Sequence, residues 1–281
     1  DKNGFKSSCD KINSSNKKFD IGFIGDSFTE GIGRLHEDTF VGQFAANHKN
    51  LEIANLGVAS YSPTIYLAKL KWMLSNGYSF KHIYVFIDIS DIQDESIYSI
   101  TSDGIVISNH QAVKPDSFLY PLKEFVFKNF KLFYIGFRNL KKLYGNLKTE
   151  EKKSENIFKL SRSEWTYNFN SKAYGFLGVE GSINKALKNM VELHKILKER
   201  DISLSIGIYP WPAQLKEKLN YKHEINRQEI IWTKFCEMRC VNFTNLFPTF
   251  NYLVLNNGLN ETYEKYFDTD DIHLNKLGNK L

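Results

Sequence analysis

Phe19-Asp20-Ile21-Gly22-Phe23-Ile24 runs without interruption into Gly25-Asp26-Ser27-Phe28-Thr29-Glu30-Gly31. The short apolar run predicts a buried parallel strand over about residues 20–25. The glycine-bounded turn that follows exposes Ser27 near a helix N-terminus, where backbone N–H groups point outward and favour negative charge. An acyl-transfer nucleophile is well placed there, because its tetrahedral intermediate carries an oxyanion. A serine hydroxyl alone is a poor nucleophile and needs a base within reach. The far end of the chain offers one in Asp270-Asp271-Ile272-His273.

Working outward from the first strand, apolar runs alternate with amphipathic segments. Strands are predicted at Leu51–Asn55, Ile83–Ile87, Ile202–Tyr209 and Val241–Leu246. Helices are predicted around 39–44, from Pro63 to the Asn76-Gly77 C-cap, over Ile183–Arg200 and over Asn226–Met238. This alternation predicts an α/β fold, a three-layer α/β/α sandwich with a roughly five-stranded parallel sheet. Ligands bind at the carboxyl ends of such strands, where Ser27, Gly57 and Ser90 all fall. Residues 1–19 read as a polar N-terminal arm and 20–281 as one domain. Within it, about 100–180 breaks the alternation and reads as an insertion: a short hairpin strand at 104–108, an aromatic, lysine-bearing helical stretch over 118–144 and a charged run over 148–159.

Together, the blocks at the two chain ends resemble the SGNH or GDSL-type hydrolases, a family of flavodoxin-like fold. The resemblance rests on Gly25-Asp26-Ser27 at the end of the first strand, Gly57 after the second and Asp270-x-x-His273 near the end. It implies Ser27 as nucleophile, His273 as base and then acid, and Asp270 as the carboxylate that orients the imidazole. Asp271 is the rival acid, but the family's spacing points to Asp270. The resemblance also implies an oxyanion hole from the N–H groups of Ser27 and Gly57. The family's third block, Gly-x-Asn-Asp, is replaced here by Asp88-Ile89-Ser90-Asp91. The Ser90 hydroxyl then stands where the family has an asparagine amide.

The implied activity is removal of a small acyl group, such as acetyl, from a carbohydrate or another alcohol through an acyl-serine. Two alternatives stand beside it. One is an O-acyltransferase fed by a membrane acyl-donor partner. The other is a non-catalytic carbohydrate-binding module, motivated by the missing asparagine. No metal or organic cofactor is implied. Tyr61, Tyr209 and Trp211 lie at the same strand ends and are candidates for stacking on a sugar or lining an acyl pocket, with a rigid aromatic turn as the competing reading. Asp88, Asp91, Asp94 and Glu95 could bind a cation through oxygen ligands, but the favoured reading is that Ser90 or Asp91 caps a helix and the acids favour its N-terminal dipole.

Composition narrows the field further. A net charge of +5 over 281 residues leaves no nucleic-acid footprint. Gly25, Gly31 and Gly33 lack dinucleotide-fingerprint spacing. No apolar run reaches the roughly eighteen residues of a membrane span. The chain opens on Asp1 followed by the polar arm, which suits an exported, membrane-tethered domain. Cys9, Cys236 and Cys240 allow one disulfide, with Cys9 paired to either partner, or buried free thiols. Two cysteines four apart with no nearby histidine supply too few ligands for a metal.

Overall fold

The structure is a computed structural model and describes residues 1–11, 13–101, 104–108, 157–168, 177–220 and 225–281. Most of the expected insertion, including the aromatic stretch over 118–144 and nearly all of the charged run, lies outside the described residues.

Five parallel strands form the sheet: β1 (Lys18–Ile24), β2 (Ile53–Asn55), β3 (Ser79–Ile87), β6 (Ser203–Ile208) and β7 (Asn242–Asn245), in the order β2-β1-β3-β6-β7. Between β3 and β6 the chain makes a two-stranded antiparallel hairpin, β4 (Tyr98–Ile100) and β5 (Val106–Ser108). The three-layer α/β/α sandwich is therefore as expected. The parallel pairing also explains the apolar strand sequences. Strands covered on both faces read as nearly unbroken Ile, Val, Leu and Phe, and Ile24, Ile83, Val85, Ile87, Ile206 and Ile208 are fully buried.

Helices supply the two outer layers. On one side, Phe40 and Phe44 of α2 (Phe40–Asn47) meet the Phe23 ring edge-on, with Tyr84 stacked beside it. The sheet is only partly covered there. A cleft of about 760 Å³ opens along Phe23, Phe40, Phe44, Tyr84 and Phe86. Elsewhere α3 (Pro63–Ser75) packs on α5 (Gly178–Lys198), the long amphipathic helix after the insertion. Buried Tyr66, Leu70 and Met73 come from the first, and Ala186, Met190 and Leu193 from the second. Beyond β6, α7 (Arg227–Cys236) opens with a capping box built by Asn226 and Glu229 and buries Trp232 and Phe235. Its C-terminal end carries a disulfide between Cys236 and Cys240, so Cys9 is the free and exposed thiol. Four further helices among the described residues are α4 (Ser90–Asp94) after β3, α6 (Pro212–Asn220) after β6 and, following β7, α8 (Phe247–Asn257) and α9 (Leu259–Tyr266). No helix among the described residues is long and apolar enough to cross a membrane.

The N-terminal arm is not a free linker. Phe5 is buried against Phe19 and Tyr78, and Lys6 forms an antiparallel bridge with Asn55 at the end of β2. The polar composition of the arm concealed this anchor, because one aromatic residue carries most of it.

The chain runs from β1 outward to β2 and then jumps back across β1 to β3. The order reverses between β1 and β3, and crevices for ligands form at such switch points. Two glycines allow the loops there to close together. A Cβ on Gly25 would lie 2.1 Å from Thr29 Oγ1 and 2.9 Å from the Phe86 carbonyl, and one on Gly57 would lie 2.3 Å from the Glu30 amide nitrogen. The clash at Gly57 is with backbone, so no rotamer change relieves it. Gly57→Ala is expected to destabilise the fold by about 1–3 kcal/mol, read as a lower denaturation midpoint with an unchanged urea m-value.

Candidate active site

Ser27 sits at the start of α1 (Ser27–Glu30), a single turn capped by the Asp26 side chain, which accepts from the Phe28 N–H. The turn closes at Gly31 in the left-handed conformation. Lys6 Nζ donates to the Gly31 carbonyl at 2.5 Å, and Asn55 Nδ2 donates to the Thr29 carbonyl at 2.8 Å. The serine turn is thus gripped from the arm and from β2. Its Oγ lies 2.9 Å from Nε2 of His273, 246 residues later in the chain.

His273 Nδ1 lies 2.6 Å from Asp271 Oδ1, and the His273 backbone N–H donates to the same oxygen at 3.1 Å. The carboxylate fixes the proton on Nδ1 and leaves Nε2 as acceptor for the serine hydroxyl. Burial raises the Asp271 pKa, but the hydrogen bond and charge of His273 outweigh it and hold the group below the usual carboxylate value. Asp270, expected in this role, is displaced from it. It is exposed at a turn tip with φ +58°, a left-handed conformation that Asp tolerates. The turn forms because the Asp271 N–H donates to the Asp268 carbonyl and the Asp268 N–H to the His273 carbonyl. The carboxylate then stands two positions before the imidazole, not three.

The loop is secured to the serine turn. Arg34 pairs with Asp268, and its Nε donates to the Leu274 carbonyl at 3.0 Å. Phe28 packs its ring 4.6 Å from the His273 ring. Sequence reading passed over Arg34 and Phe28. Both fall within eight residues of Ser27, but nothing in their spacing ties them to a loop at the other chain end.

The other expected residues fare differently. Ser27 keeps an N–H with no partner among the described residues. Gly57 does not, since its N–H donates to Asn55 Oδ1 at 3.0 Å. Ser90 is also committed: its N–H and its hydroxyl both donate to Asp88 Oδ1, at 2.6 and 2.7 Å, and the residue is buried. It therefore does not stand in for the asparagine amide. Tyr209 and Trp211 are buried at 2% and 3% exposure, which leaves no face for a sugar. The Tyr209 hydroxyl donates to Asp26 Oδ1 at 3.1 Å, and the Trp211 indole N–H to Asp88 Oδ2 at 2.9 Å. Tyr61 is half-buried, with the Lys69 ammonium 5.4 Å from its ring centroid. Burial lowers the Lys69 pKa to about 8, and its Nζ donates to the Leu56 carbonyl at 2.7 Å, just ahead of Gly57.

The acidic group after β3 is buried as well. Asp88 accepts from the Ser90 and Asp91 N–H groups and so caps α4, a role expected of Ser90 or Asp91. Glu95 accepts from Ser62, Thr64 and Asn189, and Lys185 lies 3.8 Å away. Burial pushes Asp94 up to about 7 against the pull of Arg162 at 3.2 Å. Asp26, Asp88 and Asp91 offer carboxylate oxygens within 4.8 Å of one another.

No family model matches the chain, and no curated protein matches it. Solved structures do match in shape. One, a protein assigned to the lipolytic G-D-S-L family from Desulfitobacterium hafniense DCB-2, has 9% identity and a TM-score of 0.40, over 92% of this chain and 85% of that one. Another, of the same family from Veillonella parvula DSM 2008, has 10% identity and a TM-score of 0.48, over 93% and 92%. Likeness at this level says nothing of the reaction.

The geometry separates the two candidate acids. Asp271→Asn is expected to lower kcat toward 4-nitrophenyl acetate by at least about a hundredfold, since an amide no longer fixes the imidazole tautomer. Asp270→Asn is expected to stay within about twofold. Equal losses would return the role to the three-residue spacing.

Proposed function

We propose that this chain is a serine esterase of the SGNH or GDSL type, removing a small acyl group from a carbohydrate or another alcohol. The observation that carries the reading is the relay Ser27 Oγ–His273 Nε2, His273 Nδ1–Asp271, with both contacts at hydrogen-bond distance. Its steps follow from the geometry. Ser27 Oγ attacks the ester carbonyl while His273 Nε2 takes its proton. Asp271 stabilises the imidazolium that forms. The Ser27 N–H, which has no partner among the described residues, is available to the oxyanion. His273 then protonates the leaving alcohol, and water attacks the acyl-serine with His273 again as base.

A small acyl group suits the space. The recess over Ser27, walled by Phe28, Ile32, Arg34, His273 and Leu274, holds about 10 Å³, roughly the volume of one water probe. The large cleft beside α2 is close, but Phe28, Leu274 and Asn279 line both spaces and stand between them. The disulfide between Cys236 and Cys240 supports an exported setting, because such bonds persist in oxidising compartments. An O-acyltransferase would use the same acyl-serine and differ only in the acceptor. The carbohydrate-binding reading is the weaker one, since a binding module has no use for this relay.

A fluorophosphonate probe should label the wild-type chain at Ser27, with labelling lost in Ser27→Ala and 4-nitrophenyl acetate turnover reduced by at least about a thousandfold. An unlabelled wild-type protein sinks the reading. Faster acyl release on adding an acceptor sugar would assign the transferase. Phe28→Ala should cost about 3–5 kcal/mol of stability and shift chain-length preference from acetyl toward longer esters, because it removes the wall between recess and cleft. An unchanged preference would mean that Phe28 does not set it.

A further inference from the structure

The carboxyl group beside the serine is in an unusual position. Asp26 Oδ2 lies 3.2 Å from Ser27 Oγ, so the hydroxyl has two acceptors in reach and one proton to give. Asp26 is buried at 2% exposure, and Asp88 and Asp91, both fully buried, each offer a carboxylate oxygen within 4.8 Å of one of its own. The groups facing it are Tyr66 from α3, Asp88 and Asp91 after β3, Tyr209 after β6 and His273 through Ser27. Among the described residues none of them is a lysine or arginine. Three bare carboxylates at this depth would repel one another by many kcal/mol, and in practice such groups take up protons.

Donors indicate where the remaining charge sits. Asp88 accepts from four donors, the Ser90 N–H, the Ser90 hydroxyl, the Asp91 N–H and the Trp211 indole, and hydrogen bonds are strongest where the acceptor carries charge. Among the described residues, Asp91 accepts a single side-chain bond, from the Tyr66 hydroxyl at 2.9 Å, and its Oδ1 has no partner. Asp26 is pushed well above the usual carboxylate range, by burial first and by the Asp88 charge second, and Asp91 by the same two causes in the same order.

Resting on the nucleophile reading above, we propose that Asp26 is a positioning residue that works as a neutral carboxylic acid. It donates its own proton to Asp88 and so leaves the Ser27 proton to His273. Its Oδ1 stays an acceptor for the Phe28 N–H and the Tyr209 hydroxyl, which hold the serine turn. An ionised Asp26 would draw the hydroxyl proton away from Nε2. It would also set a negative charge 3.2 Å from the attacking oxygen, opposing the oxyanion.

The test compares Asp26→Asn with Asp26→Ala. Asparagine keeps the Oδ1 acceptor and replaces the O–H by an N–H donor, so it imitates the neutral acid. Asp26→Asn should keep kcat within about tenfold of wild type, while Asp26→Ala should lose about a hundredfold or more as the serine turn shifts. In wild type, kcat/KM should fall on the alkaline side as Asp26 ionises, and that limb should vanish in Asp26→Asn. Infrared difference spectra should contain a protonated-carboxyl C=O band that disappears in Asp26→Asn. An asparagine variant as inactive as the alanine one would overturn the proposal. So would a band indifferent to the substitution, or a stoichiometric divalent ion found in the purified protein by elemental analysis. The infrared band needs no turnover. It decides who holds the proton even if wild-type Ser27 fails to take the fluorophosphonate and the esterase reading falls.

Discussion

Three adjacent parallel strands, β1, β3 and β6, end at one edge of the sheet, and each delivers a polar side chain into the same buried volume. Asp26 follows β1, Asp88 follows β3, and Tyr209 with Trp211 follows β6. The packing of the active edge depends on these groups satisfying one another, because a buried carboxyl without donors is costly. Tyr209 and Trp211 present their polar tips to Asp26 and Asp88 and their apolar bodies to the core, where the Tyr209 ring lies tilted against that of Phe28 with centroids 4.5 Å apart. Phe28 in turn touches His273. A continuous set of contacts therefore runs from β6, through the carboxyl cluster and the serine turn, to the imidazole.

The sheet was readable in the sequence because a strand buried on both faces leaves little choice of residue. Runs such as Ile21-Gly22-Phe23-Ile24 and Ile83-Tyr84-Val85-Phe86-Ile87 admit few other interpretations. Ser27 and His273 could be singled out only through the resemblance that joins the two chain ends, since neither local setting marks its residue by itself. The rest of the site was less so, for a common reason: composition and spacing reveal what kind of group stands at a position, but not which way it faces. Tyr209 and Trp211 follow a strand as substrate-stacking aromatics would, yet they turn inward to the carboxylates of Asp26 and Asp88. Asp270 and Asp271 are chemically identical, and the choice between them rests on a turn whose left-handed residue is Asp270.

The departure from the third block of the hydrolases that the sequence resembles has a local explanation. With Ser90 in place of asparagine, the short side chain folds back on Asp88 and serves the cap of α4. Gly57 is diverted similarly, its N–H held by Asn55, whose amide also grips the serine turn. Both expected donors are occupied by structural bonds, and the serine turn gains rigidity from the same residues.

The packed N-terminal arm alters where this domain can be cut. Its polar composition suggests a boundary near residue 20, where the first strand becomes recognisable. Yet Lys6 binds the carbonyl that closes the serine turn, and its backbone pairs with Asn55. A shortened chain beginning at the strand would keep every residue of the relay and lose two of the supports beneath it. Phe5 and Lys6 therefore belong with the packed structure that supports the serine turn.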